Sequence, residues 1–202
     1  MSKPLQDKII LVTGGSGLLG RAILTDITAK GGTAINLDLN LETNLDKNQM
    51  ACDITSSESI EECVLSIVEY HERIDGLVNN AYPRTQDWGT PFEQTSAESW
   101  QINVNWQLNS YVHFCREVLK VMKGNNQGSI VNMASIYGIV GNDFGIYQGT
   151  GMEPPAAYAA IKGGLINVSR YLASKYGVHG LRINCVSPGG IFDHQPEAFV
   201  NA

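Results

Sequence analysis

Apolar residues along the chain fall into two alternating patterns. Short unbroken runs, many of them β-branched, occur at Ile9-Ile10-Leu11-Val12, Thr33 to Leu37, Met50-Ala51-Cys52-Asp53, Ile74 to Val78, Ser129 to Met133 and Leu181 to Val186. Such runs fit strands of a parallel sheet that is covered on both faces. Between them, apolar positions recur at helical spacing. The sets are Leu19, Ile23 and Ile27; Ile60, Cys63, Val64, Ile67 and Val68; Trp100, Val104, Leu108, Tyr111, Cys115, Val118 and Met122; and Ile161, Leu165, Ile166 and Leu172. Thr55-Ser56-Ser57-Glu58 and Thr95-Ser96-Ala97-Glu98 have capping-box form and predict the starts of the second and third helices. Gly31-Gly32 closes the first helix, and Pro154-Pro155 fixes where the last begins. Strand then helix, without internal repeats or low-complexity linkers, predicts one α/β domain over residues 1–202, a doubly wound parallel sheet.

The joint between the first strand and the first helix carries the first candidate chemistry. Thr13-Gly14-Gly15-Ser16-Gly17-Leu18-Leu19-Gly20 reads as a glycine turn opening a helix. Glycines there let backbone N–H groups approach a pyrophosphate at the positive end of the helix, although such a turn can also pack a helix tightly and bind nothing. The second strand ends in Asp38, some twenty residues on, with no Arg or Lys beside it. A carboxylate at that place accepts hydrogen bonds from an adenosine ribose and repels a 2′-phosphate, so turn and Asp38 together predict a dinucleotide, NAD in preference to NADP. Asp53, at the end of the third strand, reads equally as an adenine contact or as a turn residue.

Composition narrows the ligand class. The chain has 202 residues, 43% of them hydrophobic and 17% charged, with a net charge of −6. That balance disfavours nucleic acid and anionic membranes and favours small molecules. Cys52, Cys63, Cys115 and Cys185 are scattered, suggesting neither a disulfide framework nor a metal site. No signal-like segment or apolar run of spanning length is evident, so a cytoplasmic address is expected.

Tyr158-Ala159-Ala160-Ile161-Lys162 places a phenol and an ammonium one turn apart on a helix face. At about 4 Å and an effective dielectric of about 20 their attraction is roughly 4 kcal/mol, which would lower the phenol pKa by about three units. Alone the pair is weak, since a core Tyr plus a solvated Lys gives the same pattern. Ser135, at the exit of the fifth strand, can donate to a carbonyl oxygen that gains negative charge. Asn79 and Asn80 end the fourth strand, where an amide can hold loops or line a cleft. Asn103 and Asn105 lie within an apolar helix, where a buried amide is costly unless bonded. The long loop Pro83 to Gln94 carries one cation, Arg84, either an anion contact on the substrate side or, more commonly, a solvated surface residue. Ser187-Pro188-Gly189-Gly190-Ile191 combines a stiff and two permissive residues and can bring backbone against a ligand. His113 reads as structural.

Taken in order, the glycine turn, Asp38, Asn79-Asn80-Ala81, Asn105, Ser135, Tyr158-x-x-x-Lys162 and Pro188-Gly189 resemble a short-chain dehydrogenase/reductase from about residue 8 to residue 192. The resemblance implies a Rossmann-type fold and a Ser-Tyr-Lys mechanism with an NAD(P) cofactor. By it, Tyr158 is the general acid/base, Ser135 steadies the substrate oxygen, and Lys162 binds the nicotinamide ribose and depresses the Tyr158 pKa. Asn105 supports a water linked to Lys162. The cofactor would lie along Gly14, Ser16, Gly17, Leu18, Leu19, Gly20, Asp38, Asp53, Ile54, Asn80, Ala81, Tyr158, Lys162, Pro188, Gly189 and Ile191. A homodimer or homotetramer is implied, paired through the long helices that begin near Thr95 and Tyr158.

Four departures qualify the resemblance. Thr-Gly-x-x-Gly-x-x-Gly has the spacing of the extended branch, which contains nucleotide-sugar epimerases and dehydratases, whereas Asn79-Asn80-Ala81 fits the single-domain branch. The interval from Ser135 to Tyr158 is about ten residues longer than the single-domain pattern, and the added loop is expected to border the substrate. Asn-Asn-Ala-Tyr-Pro-Arg, with Tyr82 in place of a small residue, together with the Ser135 to Lys162 segment is similar to bacterial oxidoreductases of flagellar-glycan and nonulosonic-acid pathways. The chain ends soon after Asp193-His194-Gln195-Pro196, where the family continues, so a C-terminal lid and last strand are expected to be missing. Three functions follow as expectations. They are NAD-dependent hydride exchange with a secondary alcohol or ketone on a sugar or sugar-nucleotide, epimerase or dehydratase chemistry with retained NAD, and a non-catalytic NAD-binding module.

Overall fold

The computed structural model describes residues 3–200. Its centre is a six-stranded, all-parallel sheet in the order β3-β2-β1-β4-β5-β6. The strands are β1 (Ile9–Thr13), β2 (Thr33–Asp38), β3 (Gln49–Ala51), β4 (Gly76–Asn79), β5 (Gly128–Met133) and β6 (Leu181–Val186). The main helices are α1 (Leu18–Ala29), α2 (Ser57–His71), α3 (Ala97–Val104), α4 (Ser110–Gly124) and α5 (Ala156–Tyr176), with a short α6 at Glu197–Val200. This is the doubly wound, Rossmann-type α/β architecture. The strand order reverses between β1 and β4, and that reversal opens a crevice beyond the carboxyl ends of the strands. None of the described helices is long and apolar enough to cross a membrane.

Alternate residues of each strand serve opposite faces, and the core divides accordingly. Leu11, Ile35, Leu37, Leu77, Ile130 and Ile183 point to the face covered by α2, α4 and α5. Ile10 and Val12 point the other way, against Ile23, Leu24 and Ile27 of α1. Beside α1 that second face also holds an apolar trough of about 800 Å³, lined by Ile10, Val78, Val131 and Val186. At the carboxyl edge, the buried Asn79 and Asn132 tie β4 to β5, Asn79 Nδ2 donating to Asn132 Oδ1 at 2.9 Å. Asn79 therefore braces the sheet and does not line the crevice.

Several boundaries differ from expectation for local reasons. The third strand is Gln49–Ala51, because Asp53 Oδ1 accepts from Thr55 N (2.9 Å) and Thr55 Oγ1 (2.7 Å) and turns the chain. The fourth begins at Gly76 because Asp75 is engaged by Ile9 N (3.0 Å) and Arg73. Both capping boxes shift by one residue. Ser56 and Ser96, not Thr55 and Thr95, are the N-caps, accepting from Ser59 N at 3.2 Å and Ser99 N at 3.0 Å. The expected single helix from Thr95 is interrupted by a π turn at Asn105–Asn109 between α3 and α4. A π turn adds a residue to the helical repeat and often occurs at functional sites.

Candidate active site

At the reversal point the glycine turn is held against β4. Gly14 has φ +63°, and a Cβ there would lie 2.7 Å from Ala81 Cα, so only glycine fits both the backbone and the approach. A Cβ on Gly20 would lie 2.2 Å from Gly14 O, which brings the start of α1 directly beneath the turn. Asn80 Nδ2 donates to the carbonyls of Thr13 and Gly14, both at 3.1 Å, while Thr13 Oγ1 accepts from Asn80 N (2.9 Å) and Ala81 N (3.1 Å). Thr13, buried and unremarkable in sequence, is thus the pin of this joint. The N-cap of α1, Gly17, supplies no side-chain bond, and no acidic residue occupies the first turn. The positive end of the helix is left open to an anion, which fits a pyrophosphate.

A cavity of about 920 Å³ runs from this turn across the sheet edge. One end is walled by Asp38, Asp53 and Ile54, the middle by Gly14, Gly17, Leu18, Leu19, Asn80 and Ala81, and the far end by Tyr158, Lys162, Pro188, Gly189 and Ile191. Ser16 and Gly20 contribute from behind, Ser16 N donating to Asp38 Oδ2 at 3.1 Å. Asp38 Oδ1 accepts from Leu39 N at 2.9 Å, so the carboxylate is fixed at the cavity rim. Asp53 lines the cavity and also makes its local turn.

The catalytic candidates meet at the far end. Tyr158 is the third residue of α5, and Lys162, 5% exposed, lies one turn on. Lys162 Nζ donates to Met133 O at 2.7 Å, which ties α5 to the end of β5. Ser135, also buried, follows that strand and accepts from Tyr137 N at 3.2 Å. A Cβ on Gly138 would lie 2.6 Å from the Lys162 carbonyl carbon, so the Ser135 turn packs directly on α5.

The electrostatics overturn one expectation. Burial pushes the Tyr158 phenol above its usual range, with the Ser135 hydroxyl pulling it down and Tyr137 pushing it up. Lys162 does not lower it; instead burial drops the lysine itself to about 8. The ammonium lies 5.4 Å from the centre of the Tyr158 ring, facing its π cloud. It also faces the rings of Tyr82 at 5.7 Å and Tyr111 at 5.8 Å. Burial works against the charged form of each group.

Asn105 is not brought to the site. It is exposed on the π turn, and its Oδ1 accepts from Asn109 Nδ2 at 2.6 Å. The buried amides of this segment are Asn103 and Gln107. Asn103 fastens the long loop, its Oδ1 accepting from Thr85 N (3.2 Å) and its Nδ2 donating to Thr85 Oγ1 (2.7 Å). Gln107 is 1% exposed and neither amide atom has a protein partner. It belongs to the π turn that packs against α5, where Leu108 abuts Gly164 two residues beyond Lys162. The sequence carries a signal for it, since residue 107 shares a helical face with Val104, Leu108 and Tyr111. Trp88, which joins Tyr82 and Tyr158 in an edge-to-face cluster, was hidden within a polar loop. Of the inserted segment, none of residues 139–155 lines the cavity. Tyr147 instead donates to Tyr137 Oη at 3.4 Å.

Comparison with known proteins agrees with this geometry. The family described as enoyl-(acyl carrier protein) reductase matches residues 20–198. Post-translational flagellin modification protein A of Campylobacter coli is 32% identical, over 97% of this chain and 82% of its own length. D-threitol dehydrogenase of Mycolicibacterium smegmatis is 31% identical, over 91% of this chain and 70% of its own. The crystal structure of a short chain dehydrogenase from Leptospira borgpetersenii serovar Hardjo-bovis, with bound NAD+, superposes with a TM-score of 0.87. It is 32% identical, over 99% of this chain and 78% of that one. With the glycine turn locked by Asn80, the crevice at the strand reversal and Ser135, Tyr158 and Lys162 gathered at one end of it, this chain belongs to the short-chain dehydrogenase/reductase family.

Proposed function

We propose that this oxidoreductase exchanges a hydride between NAD and a secondary alcohol or ketone on a sugar or sugar-nucleotide. One observation carries the reading: a single cavity joins the open N-terminus of α1 to the Tyr158–Lys162 pair. The glycine turn and the start of α1 would hold the pyrophosphate, and Asp38 the adenosine ribose. NAD, the molecule bound in the Leptospira relative, supplies or accepts the hydride when present.

The proton is the protein's task. A phenol pushed up by burial is protonated at neutral pH, so Tyr158 is set to give its proton to a substrate carbonyl oxygen. Ser135 donates to the same oxygen as negative charge develops there. Lys162 keeps two N–H donors beyond the one given to Met133 O, enough to hold ribose hydroxyls and to steady the phenolate once it forms. Gln107, not Asn105, takes the part of the helical amide. Buried and free of protein partners, it can hold a water that returns a proton toward Lys162.

The test is a screen with NAD and NADH against sugars, nucleotide-sugars and simple polyols, followed at the nicotinamide absorbance and by product analysis. Net NADH formation or consumption with a sugar supports the reading. Isomerised or dehydrated product with no net change in NADH would replace it with the epimerase or dehydratase alternative. NAD binding without turnover across the screen would leave a binding module. A homodimer or homotetramer is proposed with it, and sedimentation that finds only monomer contradicts that part.

A further inference from the structure

At the far end of the cavity, whose wall includes Tyr82 and Arg84, stands a cluster that proton transfer does not use. Tyr82, Arg84 and Trp88 all come from the long loop after β4. The rings of Tyr82 and Trp88 stand edge to face at 6.0 Å, and each meets the Tyr158 ring, at 5.9 Å and 6.3 Å. Trp88 Nε1 donates to Tyr82 Oη at 2.7 Å, which commits one lone pair of that oxygen and leaves its O–H free to donate elsewhere. The guanidinium of Arg84 lies over the Tyr82 ring, 5.4 Å from its centre.

Arg84 is a cation on the cavity wall with no carboxylate of the described residues beside it. The chain is acidic, yet among the described residues Arg84 forms no ion pair. The other charges on the cavity wall are Asp38, Asp53 and Asp193, and the one other cation is Lys162, which is committed beside Tyr158. The loop is also fastened between Arg84 and Trp88. Thr85 is clamped by the buried Asn103, and Asp87 Oδ1 accepts from Ser99 Oγ at 2.9 Å. A loop with no task would not need a buried amide to hold it, and a positioning shell of this kind is what a recognition site requires.

We infer that Tyr82, Arg84 and Trp88 form a subsite for an anionic substituent, a carboxylate or a phosphate, on the polyhydroxylated substrate whose carbinol faces Tyr158. The inference rests on the proposed oxidoreductase reading and names its substrate class. Aromatic rings offer a wall for the C–H face of a sugar ring, the Tyr82 hydroxyl donates to a sugar oxygen, and the guanidinium takes the anion by paired N–H bonds.

The test compares matched compounds on NAD-loaded protein by calorimetry at low salt, with NADH formation followed separately. D-galacturonate is set against D-galactose, and D-glucose 6-phosphate against D-glucose, for the wild type, Arg84→Gln and Arg84→Lys. At least one acid binds wild type about tenfold or more tightly than its neutral parent, the scale of a charge-assisted guanidinium contact. Arg84→Gln removes that preference, leaves the neutral compound and NAD within about twofold, and Arg84→Lys restores part of it. Which pair responds distinguishes carboxylate from phosphate. Equal binding of anion and parent in both pairs overturns the inference, as does a loss in Arg84→Gln that falls on NAD, which would assign Arg84 to the cofactor. Arg84-dependent binding with no NADH from any compound keeps the subsite and removes the oxidoreductase reading. Turnover of neutral sugars indifferent to Arg84 does the reverse.

Discussion

Replacing Lys162 by methionine should stabilise the ligand-free protein at neutral pH. Lys162 is buried, donates one hydrogen bond to Met133 O, and titrates at about 8 where an ordinary lysine titrates at 10.5. A folded-state value below the unfolded one means that the unfolded chain binds more protons between the two. The contribution of this group to stability therefore rises with pH through that window. Its depression amounts to about 3 kcal/mol of penalty for holding the ammonium in the fold below pH 8. Urea unfolding of wild type and Lys162→Met at pH 7, 8, 9 and 10 reads the difference directly, because other groups titrating in this range are common to both proteins. The variant is expected to lead by about 2–3 kcal/mol at pH 7, with the lead shrinking toward zero by pH 10. A gap that stays constant, or that widens with pH, would refute the claim that the lysine is held in a desolvated site at a cost in stability.

Other outcomes follow from the same geometry. Asp38→Ala removes the carboxylate at the cavity rim and should narrow the preference for NAD over NADP by about tenfold, read as the ratio of kcat/KM values; an unchanged ratio would detach Asp38 from the ribose. Gln107→Leu replaces a buried, partnerless amide with an apolar side chain of similar size. It should unfold no more easily than wild type, within about 1 kcal/mol, while kcat falls and its pH profile shifts; an unaltered profile would make Gln107 merely structural.

Much of the fold could be read because burial on two faces forces continuous apolar runs. Leu181–Val186 coincides with its strand, and the others miss by one or two residues where a side chain such as Asp53 or Asp75 captures backbone. The nucleotide end was legible for a steric reason: Gly14 and Gly20 occupy places where any Cβ collides with backbone, so their spacing leaves a record in the chain. The substrate end was not. The resemblance points to Asn105, whereas the helix with its π turn exposes that residue and buries Gln107. Nor could the spacing of Tyr158 and Lys162 show that both side chains lose water together, which reverses the sign expected for the tyrosine. Trp88 and Arg84 acquire meaning only once Asn103 is seen to clamp their loop.

The most direct measurement is paired calorimetry and turnover on Tyr158→Phe, using a sugar that wild type oxidises or reduces. Loss of one hydroxyl should lower kcat by a factor of about 10² or more while leaving the NAD dissociation constant within about twofold. Turnover that survives the substitution, or a loss of NAD affinity matching the loss of rate, would contradict the assignment of proton transfer to this phenol.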